Sequence, residues 1–127
     1  DSAKAQEYEE KAAAAYDLCS SINPAYEFGH IGKGVLYYNI AIELQEKASD
    51  PTLSYRAWEQ MNKLFAEYLK KAVEPFETAY NISKDDTLKV NIANFLKEIY
   101  YRFYDEGPEW KAGYDKYNTV VKTGQPL

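Results

Sequence analysis

The stretch that decides the fold is AVEPFETA, residues 72–79, in which Ala72, Phe76 and Ala79 recur at spacings of four and three. This spacing places the three side chains on one face of a helix. Small residues on either side of a large ring let a second helix backbone approach while the ring fills the gap between the two. The stretch therefore predicts one arm of a closely packed helical hairpin.

The same order of small, aromatic and small side chains occurs twice more in the chain. The copies are Ala12, Tyr16 and Cys19, followed by Pro24, and Gly113, Tyr117 and Val120. Ten residues beyond Pro24 lies Gly34, with Tyr37 three residues further on, and Leu96 and Tyr100 stand in a comparable relation. A recurring unit of this kind is typical of stacked helical repeats.

Apolar periodicity predicts five helices and no strand, so the fold class is all-α in a single domain, residues 1–127. The helices cover about residues 2–21, 25–48, 51–82, 88–103 and 109–121. Asp50 and Pro51 are predicted as the N-cap and first residue of the third helix.

Pro75 predicts a kink near residues 71–75 of the third helix. A second apolar side on the second helix predicts contact with more than one neighbour; it comprises Leu36, Tyr37, Ile40 and Leu44.

These motifs resemble those of the tetratricopeptide-repeat (TPR) family. That family has Gly-x2-Tyr on the first helix of each hairpin and Ala-x3-Phe, with a terminal proline, on the second. Here His30 and Lys33 replace the tryptophan and leucine that precede the glycine, and Ala72 follows Ala12 by 60 residues against a family period of about 34. The excess lengthens both arms of the central hairpin.

The resemblance implies antiparallel helical hairpins forming a fragment of a right-handed α-solenoid, from an atypical bacterial member of the family. Its function would be that of a non-catalytic scaffold that binds a protein or peptide on a concave surface lined by the first helix of each pair. The candidate partner-binding residues on that surface are Tyr38, Asn39, Asn91, Asn94, Glu98, Tyr101 and Arg102. The first helix is an unpaired second arm, which predicts either a longer protein or a homo-oligomer formed through this N-terminal helix.

Composition excludes several other classes of function. The net charge of −5 disfavours nucleic-acid binding, which requires clustered Lys and Arg. No segment has the roughly 20 continuous apolar residues that span a bilayer. Cys19 and His30 are single and belong to no nucleophile or metal motif, so we expect no enzyme activity, no metal and no cofactor. The glycine-rich residues 29–34 depart from the phosphate-loop pattern and are interpreted as helix-packing positions.

The second hypothesis is a carbohydrate- or small-ligand-binding helical protein of the nutrient-uptake type, using exposed tyrosines and Trp58 or Trp110; an enzyme ranks third. Within residues 100–104, Tyr100 and Phe103 are interpreted as core and Tyr101 and Tyr104 as marginal, in preference to a stacking platform for a ligand. The tyrosine-rich repeats suggest a bacterial origin, with a periplasmic or exported location or else a cytoplasmic one.

Overall fold

The computed structural model describes residues 2–127, with the backbone alone for Ser2, and everything regular within that range is helical. The helices are α1 (Ser2–Ile22), α2 (Glu27–Ala48), α3 (Tyr55–Lys71), α4 (Val73–Ile82), α5 (Asp86–Arg102) and α6 (Pro108–Thr123). A short 3₁₀ turn, Tyr104–Glu106, joins α5 to α6. The predicted all-α class is confirmed, and the third predicted helix is present as α3 and α4.

Most contacts between the helices join elements that are neighbours in the chain. α2 contacts α1, α3 and α4; α4 also contacts α5, and α5 contacts α6. Residues 16 and 32 face each other across α1 and α2, as do residues 19 and 29, so these two helices run in opposite directions. α2 therefore occupies the centre of the N-terminal half of the molecule.

Three helix contacts share one construction, in which an aromatic ring lies against a glycine of another helix. Tyr16 of α1 lies over Gly32 of α2, and Phe76 of α4 lies over Gly34 of α2. Tyr100 of α5 lies over Gly113 of α6 in the same way. The glycines of residues 29–34 thus serve as packing positions, as the sequence predicted.

The core runs along α4, α5 and α6 and extends into α2 and α3. The packed helix face predicted within residues 72–79 is fully buried, and it comprises Ala72, Phe76 and Ala79. The Phe76 ring stacks on Phe95 of α5 with 4.9 Å between centroids. Burying a ring of this size contributes about 2–3 kcal/mol relative to leaving it in water.

The predicted kink is confirmed at Ala72, which separates α3 from α4. Pro75 has no N–H to donate to the carbonyl of Lys71, so one helical hydrogen bond cannot form. The Phe76 N–H does reach the Ala72 carbonyl, at 3.2 Å, and the helix resumes there. The bend directs α4 across α2 and towards α5.

The predicted start of the third helix at Asp50 and Pro51 is wrong. The Asp50 carboxylate instead accepts hydrogen bonds from the N–H of Thr52 at 2.9 Å and from its hydroxyl at 2.8 Å. These bonds close a local turn and lower the pKa of Asp50. The helix begins at Tyr55, after Ser54, whose hydroxyl accepts from the Ala57 N–H at 3.1 Å. Aspartate can cap a turn or a helix, and here the turn forms.

We expect Gly34→Ala to lower the free energy of unfolding by about 1–2 kcal/mol. Alanine is the better helix former by about 1 kcal/mol, but a Cβ at position 34 would lie 2.8 Å from the Phe76 ring. Because that ring is fully buried, it cannot move into solvent, and overpacking costs roughly 1–3 kcal/mol. Urea unfolding followed by circular dichroism measures the change.

The matched control is the same substitution in a Phe76→Leu background, where the smaller side chain leaves room for the new methyl group. There, Gly34→Ala should be neutral or stabilising. Equal effects in the two backgrounds would show that the ring and the glycine are not coupled.

Candidate functional site

One face of the molecule brings α2 beside α5 through a tyrosine and a glutamate. The Tyr38 hydroxyl donates to the Glu98 carboxylate at 3.2 Å, and the Tyr38 ring meets Phe95 edge to face with 5.0 Å between centroids. Burial, followed by the charge of Glu98, raises the pKa of Tyr38, so the phenol stays a hydrogen-bond donor at neutral pH. We call this surface the α2–α5 face.

Four of the candidate residues extend along α5 on this face. Asn91, Asn94, Glu98 and Arg102 are three or four residues apart, which aligns them on one side of the helix, and all four are exposed. The Arg102 guanidinium lies over the Phe65 ring of α3, 5.0 Å from its centroid. The α2–α5 face therefore presents two amides, a carboxylate and a guanidinium in a row beside Tyr38.

The other two candidates lie elsewhere. Asn39 lines a groove next to α1, because one residue of helix turns it about 100° away from Tyr38. Tyr101 is 64% exposed, and its ring lies 5.3 Å from that of Tyr114 on α6. The structure thus assembles five of the seven predicted residues on one surface.

A groove of ≈ 1010 Å³ opens between α1, α2 and α3. Its floor is formed by Leu36 and Ile40 of α2, with α1 on one side and Leu64 and Tyr68 of α3 on the other. We call it the arm groove. No groove residue except Asn39 was among the predicted candidates, although the second apolar side of α2 had indicated an additional neighbour.

A hydrogen bond joins the two walls of the arm groove. The Tyr68 hydroxyl of α3 donates to the Glu9 carboxylate of α1 at 2.8 Å. Burial of the phenol, followed by this hydrogen bond, raises the pKa of Tyr68 to about 12. Tyr37 packs beside it, with 6.2 Å between ring centroids.

A smaller polar cavity of ≈ 410 Å³ lies near the other end of the α1–α2 pair, beside His30. Its cations already have partners: Lys33 pairs with Asp17 at 2.8 Å, Lys70 pairs with Glu106 at 2.8 Å, and Lys71 lies over the Tyr37 and Tyr68 rings. The hydrogen bond that Lys33 donates to Asp17 raises the pKa of Lys33. Lys33 and Lys70 are thus paired with carboxylates and Lys71 is engaged by two rings, so among the described residues no lysine of this cavity is without a contact.

The C-terminal aromatic residues form mainly a structural cluster. The Tyr100 and Tyr117 hydroxyls both donate to one oxygen of Glu77, at 2.9 and 2.8 Å. Burial, together with Glu77, raises the pKa of both phenols, so both stay protonated and keep donating. Trp110 packs on Tyr100 with 5.1 Å between centroids. Phe103 is buried whereas Tyr101 is 64% exposed, which agrees with the interpretation of Phe103 as core and Tyr101 as marginal.

Within residues 2–127, no helix is both long and apolar enough to cross a bilayer. The same residues include no group of three or more His, Cys, Asp or Glu side chains placed to hold a metal ion. The outer side of α1 bears Leu18 and Ile22, which are 61% and 76% exposed. Self-association through this helix stays a prediction.

We expect Tyr68→Phe to destabilise the protein by about 1 kcal/mol at neutral pH, since a partly buried hydrogen bond to a carboxylate is lost. The folded pKa of about 12 exceeds the ordinary value of 10.0. The contribution of Tyr68 to the free energy of unfolding is therefore complete below pH 10, and it declines as the pH rises through about 12 and the folded phenol loses its proton. Urea unfolding of both proteins between pH 7 and pH 12 should show the difference shrinking over that window.

The control is Tyr55→Phe, which removes a phenol that is 74% exposed and makes no hydrogen bond among the described residues. It should change stability little at any of these pH values. A Tyr68 effect that is constant across the range would mean that the hydroxyl bond to Glu9 is not its source.

Compared with protein-family models, with curated proteins and with solved structures, the chain matches none.

Proposed function

We propose that this chain is a non-catalytic, TPR-type module that binds a protein or peptide on the α2–α5 face. On this proposal α2 with α3 and α4, and α5 with α6, are two stacked hairpins of an α-solenoid, and α1 is the second arm of a preceding one. The ring-on-glycine contacts support it, because all of their residues except Gly32 stand at the small and aromatic positions that carried the family resemblance.

The observation that carries the proposal is the polar row along α5 beside Tyr38. Asn91 and Asn94 can each donate and accept, as a peptide bond requires, and Arg102 can form paired hydrogen bonds with a carboxylate. Glu98 is exposed and adds an acceptor next to these donors. A partner lying along the row would meet alternating donors and acceptors.

The frame behind this row is rigid. Phe95, which lies between Asn94 and Glu98 in sequence, stacks on the fully buried Phe76. Ile92 and Leu96, on the inner side of α5, are buried as well. Side chains held in place before binding lose less conformational freedom on binding. A firm backbone with exposed amides suits recognition of a peptide segment.

The proposal is tested by selecting peptides from a random display library on the immobilised full chain and titrating them calorimetrically. We expect Asn94→Ala to weaken binding about 3- to 10-fold, the effect of losing one hydrogen bond. Arg102→Ala should weaken peptides with a carboxylate by at least as much, because a charged pair is lost.

The matched controls are Asn81→Ala and Arg56→Ala, which remove an amide and a guanidinium exposed elsewhere on the surface. Neither should alter affinity. If the selected peptides bind the Asn94 and Arg102 variants as tightly as the original chain, the α2–α5 face is not the binding surface.

A carbohydrate-binding function is the second candidate, and an exposed pair of rings favours it. Tyr55 and Trp58 lie near the start of α3 with 5.7 Å between ring centroids, and they are 74% and 44% exposed. Flat rings in solvent can stack on the apolar face of a sugar. Trp110, by contrast, is half-buried within the C-terminal cluster.

On this second proposal, adding an oligosaccharide that binds should change the tryptophan fluorescence, and Trp58→Phe should abolish the change. Trp110→Phe serves as the control and should keep the response. A panel of glycans that leaves the emission of the original chain unchanged would reject this function.

A further inference from the structure

We propose that the arm groove is a second docking site and that its occupant is an amphipathic helix with an apolar stripe bordered by Lys or Arg. This site lies apart from the α2–α5 face and does not depend on it. The inference rests on the apolar floor of the groove, on the charge of its rim and on the absence of backbone groups that could pair with an extended chain.

The floor is a continuation of the stripe of α2 that packs on α1. Gly29 and Gly32 let α1 approach the N-terminal part of α2. The same side of α2 continues, at spacings of three or four residues, with Leu36, Ile40 and Glu43. Their side chains are larger than those of Gly29 and Gly32. They leave a trough of ≈ 1010 Å³ whose lining on α2 runs from Leu36 to Lys47, which is about three helical turns, or roughly 16 Å.

The backbone of the walls favours a helical occupant over an extended one. α1, α2 and α3 use their backbone N–H and C=O groups within their own helices, so none offers the free edge on which an extended peptide can add as a strand. An extended segment pressed on Leu36 and Ile40 would bury unpaired backbone groups, at a cost of about 1–3 kcal/mol each. A helix satisfies its backbone internally and offers only side chains to the floor.

The rim selects positive charge on that helix. Its ionised residues are Glu9, Glu43, Glu46 and Lys47, so carboxylates outnumber ammonium groups three to one. Glu43 and Glu46 are exposed and have no ion-pair partner among residues 2–127. Lysines or arginines on either side of an apolar stripe would lie opposite these carboxylates, which increases the rate of association and discriminates against acidic partners.

The test uses the full chain and a labelled 18-residue peptide with leucines at helical spacing and lysines on both borders of the stripe. Fluorescence anisotropy should report saturable binding. Three comparison peptides are a glutamate-bordered version, a scrambled version that destroys the stripe and a version with two central prolines. Each should bind at least about tenfold more weakly, since each removes one of the three features the groove recognises.

Two variants locate the site. Glu43→Lys combined with Glu46→Lys should lower the affinity for the lysine-bordered peptide at least about tenfold. It should also reduce the ratio between the affinities for the lysine-bordered and the glutamate-bordered peptides. Ile40→Asp should also weaken binding, although it adds an attractive charge, because it breaks the apolar floor. Glu59→Lys and Leu18→Lys alter exposed positions outside the groove and should have no effect.

Circular dichroism and urea unfolding show whether each variant is folded. If Ile40→Asp unfolds, Leu64→Asp on the α3 side of the groove replaces it. Binding that is equal for the proline-containing or scrambled peptide would overturn the proposal. So would binding that the groove variants leave unchanged, or a stable dimer in sedimentation that Ile40→Asp dissociates, which would identify a second copy of the chain as the occupant.

Discussion

The close approach of helices at glycines covered by rings is the constraint on which the rest of the structure depends. At Gly34, a single added methyl group would collide with a ring that has no route to solvent. The same construction at Gly32 and Gly113 places α1 on α2 and α6 on α5. A glycine within a helix destabilises that helix relative to alanine. At these three positions the loss is offset only if the opposing ring packs into the space that the missing side chain leaves.

The change in residue size along one side of α2 explains where close packing ends and a groove begins. Where the stripe consists of Gly29 and Gly32, α1 lies against the backbone; where it continues as Leu36 and Ile40, the same neighbour borders a trough. One element therefore provides a tight helix contact, the floor of the arm groove and, through Tyr38, part of the α2–α5 face.

The fold was largely predictable because the signals for it are local. Apolar spacing located the helices, and Pro75 located the break at Ala72, since both act through the nearest turn of backbone. The error at Asp50 arose because an aspartate can form either of two local structures. Its carboxylate can accept from a helix N–H as a cap, or it can close a turn, as it does here by accepting from the N–H of Thr52, while Ser54 caps the helix. Sequence alone does not decide between them, because Ser54 offers an equally good cap four residues later.

The candidate surfaces were less predictable because they depend on how helices are rotated and separated. Asn39 and Tyr38 are adjacent in sequence, yet they belong to different surfaces. Tyr101 joins a ring cluster with α6 rather than the polar row of α5. The arm groove requires the distance between α1 and α3, two helices that are far apart in sequence, and no single-helix pattern contains that distance.

The two surfaces also differ in what holds them, and that difference bears on how each could bind. Behind the α2–α5 face, Glu77 ties Tyr100 of α5 and Tyr117 of α6 to α4 through one carboxylate. Across the arm groove, the side-chain link is the hydrogen bond between Tyr68 and Glu9. A face supported by a buried network can select a partner by fixed polar geometry. The floor of the arm groove is apolar, with Leu36 and Ile40, and such a surface suits recognition through an apolar stripe, where contact area matters more than exact alignment.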